Sequence, residues 1–176
     1  MVRPVTSGVV LVLGGARSGK SVFAEKMVLD SGLQPLYLAT AQVWDDEMRS
    51  RVDKHKSRRN PHWQTIEEPI DLPGVIEREA RQGRAILVDC LTLWVTNLML
   101  AEAPIADRFA SLCAVLDKCE GLVVLVSNEV GLGIVPDNKM ARDFRDHAGQ
   151  LHQDVALLAN KVHFIAAGLP LTLKDD

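Results

Sequence analysis

The sequence predicts an α/β domain built on a mainly parallel sheet. Short apolar runs, such as residues 9–13 and 122–126, alternate along the chain with longer segments of helical spacing. These runs consist almost entirely of Val, Leu, Ile and Ala, a pattern typical of strands that helices cover on both faces. Strands separated by helices are then joined by right-handed crossovers into a parallel sheet.

Seven short runs are predicted to form strands, because each is rich in apolar residues and most are bounded by Gly, Pro or acidic residues. In order they are residues 9–13, 36–39, 63–66, 85–88, 122–126, 162–166 and 169–173. The last run follows Gly168 closely, so we expect it to turn back and pair antiparallel at one edge of the sheet.

Six longer segments carry apolar residues at helical spacing. They are residues 19–30, 45–59, 71–82, 91–101, 105–118 and 138–160. Asp45 and Asp71 stand near two of the predicted starts, while Pro61 and Gly83 follow the corresponding ends, as helix boundaries favour. With no linker or repeat between these elements, residues 1–176 are predicted to form a single domain.

The composition excludes several classes of protein. Of 176 residues 47% are apolar and 24% charged, and the net charge of −3 argues against a general nucleic-acid binder. No apolar stretch approaches the roughly 20 residues that cross a bilayer, and the apolar run at residues 8–13 is too short for a signal peptide. Three scattered cysteines (Cys90, Cys113, Cys119) suit neither a disulfide framework nor a zinc site. We therefore expect a reduced, cytoplasmic protein.

The strongest motif lies between the first strand and the first helix. It matches the phosphate-binding pattern G-x-x-x-x-G-K-[ST] throughout, with the residues Gly14, Gly15, Ala16, Arg17, Ser18, Gly19, Lys20 and Ser21. Glycines let successive backbone N–H groups curl around phosphate oxygens, and the helix that begins here adds its positive end. Lys20 would reach the β- and γ-phosphates, and the Ser21 hydroxyl could bind Mg²⁺. The sequence therefore predicts a P-loop that binds a nucleoside triphosphate.

Polar residues follow three other strands, where α/β sheets bind ligands. Asp89 ends the 85–88 strand and could hold Mg²⁺ directly or through water, or else cap the next helix. Glu129 follows the most apolar strand and could orient a nucleophile or the ion, or be a solvated loop acid. Thr40, between Ala39 and Ala41, could touch the nucleotide, although this signal is weak.

A histidine stands within a basic segment of this acidic chain. At helical spacing, His55 shares a face with Arg51, Arg58 and Arg59. The other cations of the segment are Lys54 and Lys56. Neighbouring cations keep an imidazole neutral and nucleophilic, and they would stabilise a phosphoryl group under attack. Covalent or acid/base chemistry at His55 is therefore open beside the alternative of a solvated charged face. The other histidines, His62, His147, His152 and His163, are interpreted as structural or surface residues.

Taken together, the motifs resemble those of a known enzyme family. The matching segments are GGARSGKS (14–21), ATAQ (39–42), DDEM (45–48), RVDKHKSRR (51–59), WQTIE (63–67), VDCLTLWVTNL (88–98), SNEVGLGIVP (127–136), FRD (144–146) and AG (148–149). They resemble the bifunctional adenosylcobinamide kinases / adenosylcobinamide-phosphate guanylyltransferases of cobalamin synthesis. Two departures are small: Lys54 stands where some members have a second histidine, and Ser127 where some have threonine.

The resemblance implies two reactions. In the first, ATP or GTP phosphorylates the aminopropanol hydroxyl of adenosylcobinamide. In the second, GTP guanylylates His55 with release of pyrophosphate, and GMP then passes to adenosylcobinamide phosphate to give adenosylcobinamide-GDP. Direct attack of the phosphate monoester on GTP would bring two anions together, and a phosphoramidate at His55 divides this difficult step into two.

The resemblance also implies the site residues and the assembly. A RecA-type core, a homotrimer, Mg²⁺ held by Ser21 and Asp89, and catalytic roles for His55 and Lys20 are expected. The implied nucleotide contacts are residues 14–21, Ala39, Thr40, Ala41, Lys56, Ser57, Arg58, Arg59, Glu67 and Asp89. Two alternatives are a simple small-molecule kinase, with the basic segment only a lid, and a nucleotide-dependent binding switch. Whether the two reactions share one nucleotide site, and whether Glu129 or Asp89 activates the corrinoid hydroxyl, stays open at this stage.

Overall fold

A computed structural model describes residues 5–42 and 62–176, which form one seven-stranded sheet flanked by five helices. The strands are β1 (Gly8–Gly14), β2 (Gln34–Ala39), β3 (Gln64–Glu67), β4 (Arg84–Asp89), β5 (Leu122–Asn128), β6 (Lys161–Ala166) and β7 (Leu169–Asp175). The helices are α1 (Lys20–Asp30), α2 (Leu72–Glu79), α3 (Leu91–Leu100), α4 (Ile105–Leu116) and α5 (Lys139–Leu158). All seven predicted strands are confirmed, and the predicted helix at 45–59 lies outside the described residues.

The strands follow the order β3-β2-β4-β5-β1-β6-β7. Every neighbouring pair is parallel except β6 and β7, which pair antiparallel. The last strand of the chain, β7, is therefore the antiparallel edge strand that the sequence predicts. Since β1, β4 and β5 are parallel neighbours, their carboxyl ends meet at one edge, where such folds bind ligands.

Helices cover both faces of the sheet, which explains the continuous apolar runs of the strands. Along β1, Val10 and Val12 face a core completed by Ala24 and Val28 of α1. Val9, Leu11 and Leu13 face the opposite core, which residues of α2, α3, α4 and α5 complete. Alternate residues of one strand are thus buried on opposite sides, as the pleat requires.

One predicted boundary is wrong by several residues. The pattern extends the third predicted helix to Gln82, whereas α2 ends at Glu79 and Ala80 has non-helical angles. The Ala80 carbonyl accepts hydrogen bonds from the N–H groups of Glu120 and Gly121, at 3.1 and 3.2 Å. These tertiary bonds take the carbonyl that the next helical turn would use, so the helix stops early.

Candidate functional site

The P-loop joins β1 to α1 as a tight turn that depends on glycine. Arg17 and Gly19 both have positive φ, at 56° and 96°. A side chain on Gly14 would lie 2.6 Å from the Ile165 carbonyl oxygen, so the loop closes against the neighbouring strand. Because α1 begins at Lys20, its first N–H groups have no acceptor within the helix and are available to an anion at this end.

The turn between β6 and β7 packs against the P-loop. The N–H of Gly168 donates to the Ser18 carbonyl at 2.8 Å. The Gly168 Cα would lie 3.1 Å from a Cβ added at Gly19. The antiparallel C-terminal hairpin therefore holds the shape of the phosphate loop, a role that the sequence pattern did not indicate.

Lys20 is folded back onto the loop to which it belongs. Its ammonium group donates to the Gly15 carbonyl at 2.8 Å, and only 8% of the residue is exposed. Burial lowers the pKa of Lys20, while the nearby Cys90 and Asp89 act in the opposite direction. A lysine held this way could exchange its contact with the Gly15 carbonyl for phosphate oxygens without leaving the loop.

The predicted carboxylates Asp89 and Glu67 lie at the same edge of the sheet. Ala39 of β2 is in register with Glu67 of β3 on one side and with Asp89 of β4 on the other. Asp89 is itself in register with Val126 of β5, and Val126 with Val12 of β1. With strands about 4.8 Å apart, Asp89 lies roughly 10 Å across the sheet from the strand that leads into the P-loop.

Tyr37 fixes the orientation of Asp89. Its hydroxyl donates to Oδ2 of Asp89 at 2.7 Å, and the tyrosine is buried within the sheet. Tyr37 is in register with Leu87, so the bond is a diagonal contact between neighbouring strands. Only the pairing of β2 with β4 reveals it, which is why the sequence reading missed this residue.

Ser21 and Asp89 suit a magnesium ion that is shared with a nucleotide. Mg²⁺ in nucleotide sites usually takes one or two protein oxygens and completes its shell with waters and phosphate oxygens. Tyr37 occupies one carboxylate oxygen of Asp89, which leaves the other for the ion or one of its waters. Across the described ranges, His, Cys, Asp and Glu form no cluster of three or more that would hold a metal without a nucleotide. The donor set fits the predicted ion.

Glu129 is hydrogen-bonded to Gly14, the first residue of the P-loop. Its backbone N–H donates to the Gly14 carbonyl at 3.0 Å, and its carboxylate accepts from the N–H of Gly131. The register Gly14 with Asn128 places both residues at the ends of adjacent strands. Glu129 therefore stands beside the phosphate loop, where sequence reasoning expected a carboxylate that could orient a nucleophile.

Thr40 lies beneath the surface of the site. It is fully buried, and its hydroxyl donates to the Cys90 carbonyl at 2.7 Å and accepts from the Cys90 N–H at 2.9 Å. The carboxamide of Asn97 donates to the carbonyls of Thr40 and Pro69, at 2.7 and 3.0 Å. The Thr40 hydroxyl thus ties the turn after β2 to the turn after β4, and any nucleotide contact here is left to Ala41 and the backbone.

A second buried network joins the ends of β4 and β5. The Cys90 thiol shares a hydrogen bond of 3.1 Å with the Thr92 hydroxyl, to which the Asn128 carboxamide donates at 3.0 Å. Burial, followed by the charge of Asp89, raises the pKa of the Cys90 thiol to about 11. The Cys90 thiol is therefore protonated and serves packing, whereas Cys113 and Cys119 are partly exposed.

Three histidines of the described ranges pack into the fold, and the fourth lies at the surface. His152 shares a 2.7 Å hydrogen bond with Ser127, and burial lowers its pKa. His163 packs against the Phe23 ring and His147 against the Phe109 ring, while His62 is exposed. His55, Lys56, Ser57, Arg58 and Arg59 lie outside the described residues. The described residues stop at Gln42, three residues after β2, and resume at His62, two residues before β3. Next to His62, the Trp63 ring packs edge-on against the Tyr37 ring, with the ring centroids 6.3 Å apart.

Comparisons with known proteins agree on one family. A family model described as cobinamide kinase / cobinamide phosphate guanyltransferase matches residues 10–173. The chain is 48% identical over 168 residues to the bifunctional adenosylcobalamin biosynthesis protein CobP of Pseudomonas aeruginosa, which covers 94% of this chain and 97% of that protein. It is 42% identical over 180 residues to the bifunctional protein CobU of Salmonella typhimurium, which covers 94% of this chain and 99% of that one.

Solved structures confirm the predicted fold at low sequence identity. The flagellar accessory protein FlaH from Methanocaldococcus jannaschii has a TM-score of 0.54 and 12% identity, over 96% of this chain and 79% of that protein. At this identity the likeness concerns the fold alone, which agrees with the α/β class predicted from the sequence. Of the helices in the described ranges, none has the length and apolar character needed to span a membrane.

Proposed function

The chain belongs to the cobinamide kinase / cobinamide phosphate guanyltransferase family, and from this premise we propose how its residues divide the two reactions. It is a bifunctional enzyme of adenosylcobalamin biosynthesis. The observation that carries the proposal is the convergence of the P-loop, Asp89 and Glu129 at one edge of the sheet. The strand β2 also ends at this edge, at Ala39, and the segment that contains His55 follows it in sequence.

The P-loop performs the kinase reaction. Lys20 moves from the Gly15 carbonyl to the β- and γ-phosphates of ATP or GTP. The hydroxyl oxygen of adenosylcobinamide forms a bond to the γ-phosphorus, the bond to the β-phosphate oxygen breaks, and the nucleoside diphosphate leaves. A carboxylate takes the hydroxyl proton, and Glu129 is favoured because its backbone is bonded to Gly14. Mg²⁺ on Ser21 and Asp89 would neutralise charge that develops on the phosphates.

His55 carries the guanylyl group in the second reaction. Its ring nitrogen forms a bond to the α-phosphorus of GTP, and pyrophosphate leaves as the P–O bond to the β-phosphate breaks. A phosphate oxygen of adenosylcobinamide phosphate then forms the new pyrophosphate bond, and the P–N bond returns its electron pair to the ring. Lys56, Ser57, Arg58 and Arg59, next to His55 in sequence, would carry negative charge on the triphosphate.

We further propose that Glu67, Ala39 and Ala41 contact the nucleotide base or ribose. The support is the register that aligns Glu67 and Ala39 with Asp89 at the nucleotide edge. A homotrimer, a single domain over residues 1–176 and a cytoplasmic location rest on the family resemblance and the sequence pattern, and they are proposed on that ground.

Labelled GTP tests the guanylyl-histidine proposal. With GTP labelled at the α-phosphate, the wild-type protein should gain one acid-labile, base-stable GMP, and His55→Ala should gain none. His62→Ala is the matched control, because this histidine is close in sequence and exposed, and it should label like the wild type. Transfer of a γ-phosphate label to adenosylcobinamide should survive in His55→Ala.

The same experiment separates the alternatives. If His55→Ala makes adenosylcobinamide-GDP at the normal rate, the covalent route at this residue is wrong. Absence of label on the wild type, with kinase activity intact, would leave a simple kinase. GTP binding without any corrinoid product would leave a nucleotide-dependent switch.

A further inference from the structure

The loop between β5 and α5 exposes apolar side chains that the two reactions above do not use. Residues 130–136, here called the apolar loop, have the sequence VGLGIVP and include no polar side chain. Leu132 is 83% exposed, Ile134 98% and Val135 61%, and Met140 in the first turn of α5 is 53% exposed. Large exposed apolar side chains this close together in sequence make the loop a candidate binding site.

Hydrogen bonds define both ends of the apolar loop. At its start, the Glu129 carboxylate accepts from the Gly131 N–H. At its end, the Arg142 guanidinium donates to the carbonyls of Pro136 and Asp137 at 2.9 and 2.8 Å, and the Asn138 side chain accepts from the Ala141 N–H at 2.8 Å. Both ends of the loop are therefore held by hydrogen bonds, while its apolar side chains are exposed to solvent. The exposure is thus a property of the folded structure and does not come from an unanchored segment.

The apolar loop begins at the nucleotide edge of the sheet. Glu129 directly precedes it and donates its backbone N–H to Gly14, the first residue of the P-loop. A phosphoryl acceptor must bring its oxygen within about 3–3.5 Å of the γ-phosphorus. An acceptor that brings its oxygen past Glu129 reaches the P-loop beside the start of the apolar loop, which follows Glu129 directly in sequence.

We propose that the apolar loop and Met140 bind the macrocycle of the corrinoid acceptor. This inference rests on the proposed function, since the family name gives cobinamide and cobinamide phosphate as acceptors. A corrinoid is a large ring whose rim carries methyl groups and uncharged amide arms. Aliphatic side chains cover such a ring without leaving a buried charge unpaired, whereas the cationic P-loop suits only the phosphates of the nucleotide.

The occupant is thus the part of the acceptor that does not react. Its ring rests on Leu132, Ile134 and Val135, while its hydroxyl or phosphate arm extends past Glu129 to the nucleotide. Both reactions use the same acceptor body, so one apolar surface serves both. GTP, by contrast, needs none of this surface to guanylylate the enzyme.

Equilibrium dialysis with adenosylcobinamide tests the inference on the full-length protein, with the bound corrinoid measured by its visible absorbance. The variants are Leu132→Ser and Ile134→Ser, whose side chains are so exposed that folding does not depend on them. The matched control is Leu157→Ser, a leucine 79% exposed near the other end of α5, about 26 Å along the helix from Met140. Pyrophosphate release from GTP without corrinoid and the sedimentation coefficient are measured in parallel.

We expect each loop variant to raise the dissociation constant for adenosylcobinamide about tenfold or more, as loss of one buried aliphatic contact does. The Leu157→Ser control should bind like the wild type. Without corrinoid, the loop variants should release the same amount of pyrophosphate from GTP as the wild type, one molecule for each guanylylated His55. An unchanged dissociation constant in both loop variants overturns the inference, as does loss of pyrophosphate release. A lower sedimentation coefficient with unchanged corrinoid binding would instead assign the loop to contacts between copies. If the wild type binds GTP but no adenosylcobinamide, the proposed function itself fails.

Discussion

Replacing Gly19 with alanine tests whether the β6–β7 turn shapes the phosphate loop. Gly19 has φ +96°, and a Cβ there would lie 3.1 Å from the Gly168 Cα. Gly168 cannot move away easily, because its N–H is bonded to Ser18 and its own φ is +77°. The added methyl group therefore meets backbone on a segment that is held from both sides.

The expected loss of stability in Gly19→Ala combines two opposing backbone effects with the steric contact to Gly168. Positive φ costs an L residue about 1–2 kcal/mol, and alanine recovers about 0.4–1 kcal/mol by restricting the unfolded chain. Crowding against packed atoms typically adds about 1–3 kcal/mol. We expect Gly19→Ala to lower the free energy of unfolding by roughly 2–3 kcal/mol.

Gly32→Ala is the matched control. Gly32 has φ +70°, but a Cβ there would meet no atom within 4 Å, so only the backbone effects remain, at about 1 kcal/mol or less. Urea unfolding, followed by tryptophan fluorescence because Trp94 is fully buried, measures both variants with and without Mg²⁺ and GTP. GTP should stabilise Gly32→Ala as it does the wild type and stabilise Gly19→Ala much less. Equal losses in the two variants, with equal stabilisation by GTP, would refute the proposed support of the loop by Gly168.

Three further predictions concern single side chains. Lys20→Ala should abolish both phosphoryl transfer and guanylylation while the protein stays folded, because the loop loses the charge that it holds at Gly15; product assays and circular dichroism check this. Tyr37→Phe should lower the free energy of unfolding by about 1.5–3 kcal/mol, because the hydrogen bond to the Asp89 carboxylate is lost. It should also weaken Mg²⁺-dependent GTP binding, measured by calorimetry. GTP binding with the same Mg²⁺ dependence as the wild type would contradict the proposed role of Tyr37 in orienting Asp89. Burial lowers the pKa values of His152 and His163 below the usual 6.5, so the unfolded chain binds more protons and stability should fall as the pH drops below about 6.5. The free energy of unfolding should change by up to about 1.4 kcal/mol per pH unit for each histidine. His152→Gln should reduce this pH dependence, measured by urea titrations at several pH values.

Much of the candidate site could be predicted because its signals are local. The P-loop pattern needs only eight consecutive residues between a strand and a helix, and Lys20 and Ser21 follow from it. Asp89 stands out because it directly follows the apolar run 85–88, and Glu129 because it lies three residues after the end of the run 122–126. Strand ends can be recognised from the sequence alone, and parallel strands bring their carboxyl ends to one edge.

Other parts of the site depend on contacts between distant segments. Tyr37 and Asp89 are 52 positions apart, and Asn97 and Thr40 are 57 apart. Nothing in the short-range periodicity of either segment marks these residues as partners. The same holds for α2, whose helical pattern continues past Glu79 until bonds from Glu120 and Gly121 take the Ala80 carbonyl.

The sequence by itself determined the chemistry of this protein: an anion-binding loop, a lysine, strand-end carboxylates and the motifs of one enzyme family. These features are encoded in contiguous residues, and their physical basis is the local conformation of glycines, helix ends and apolar strands. The tertiary structure alone decided which groups meet. The order of the strands and their register bring Tyr37 to Asp89 and Gly168 to the P-loop, because hydrogen bonding across a sheet joins residues that the chain keeps far apart.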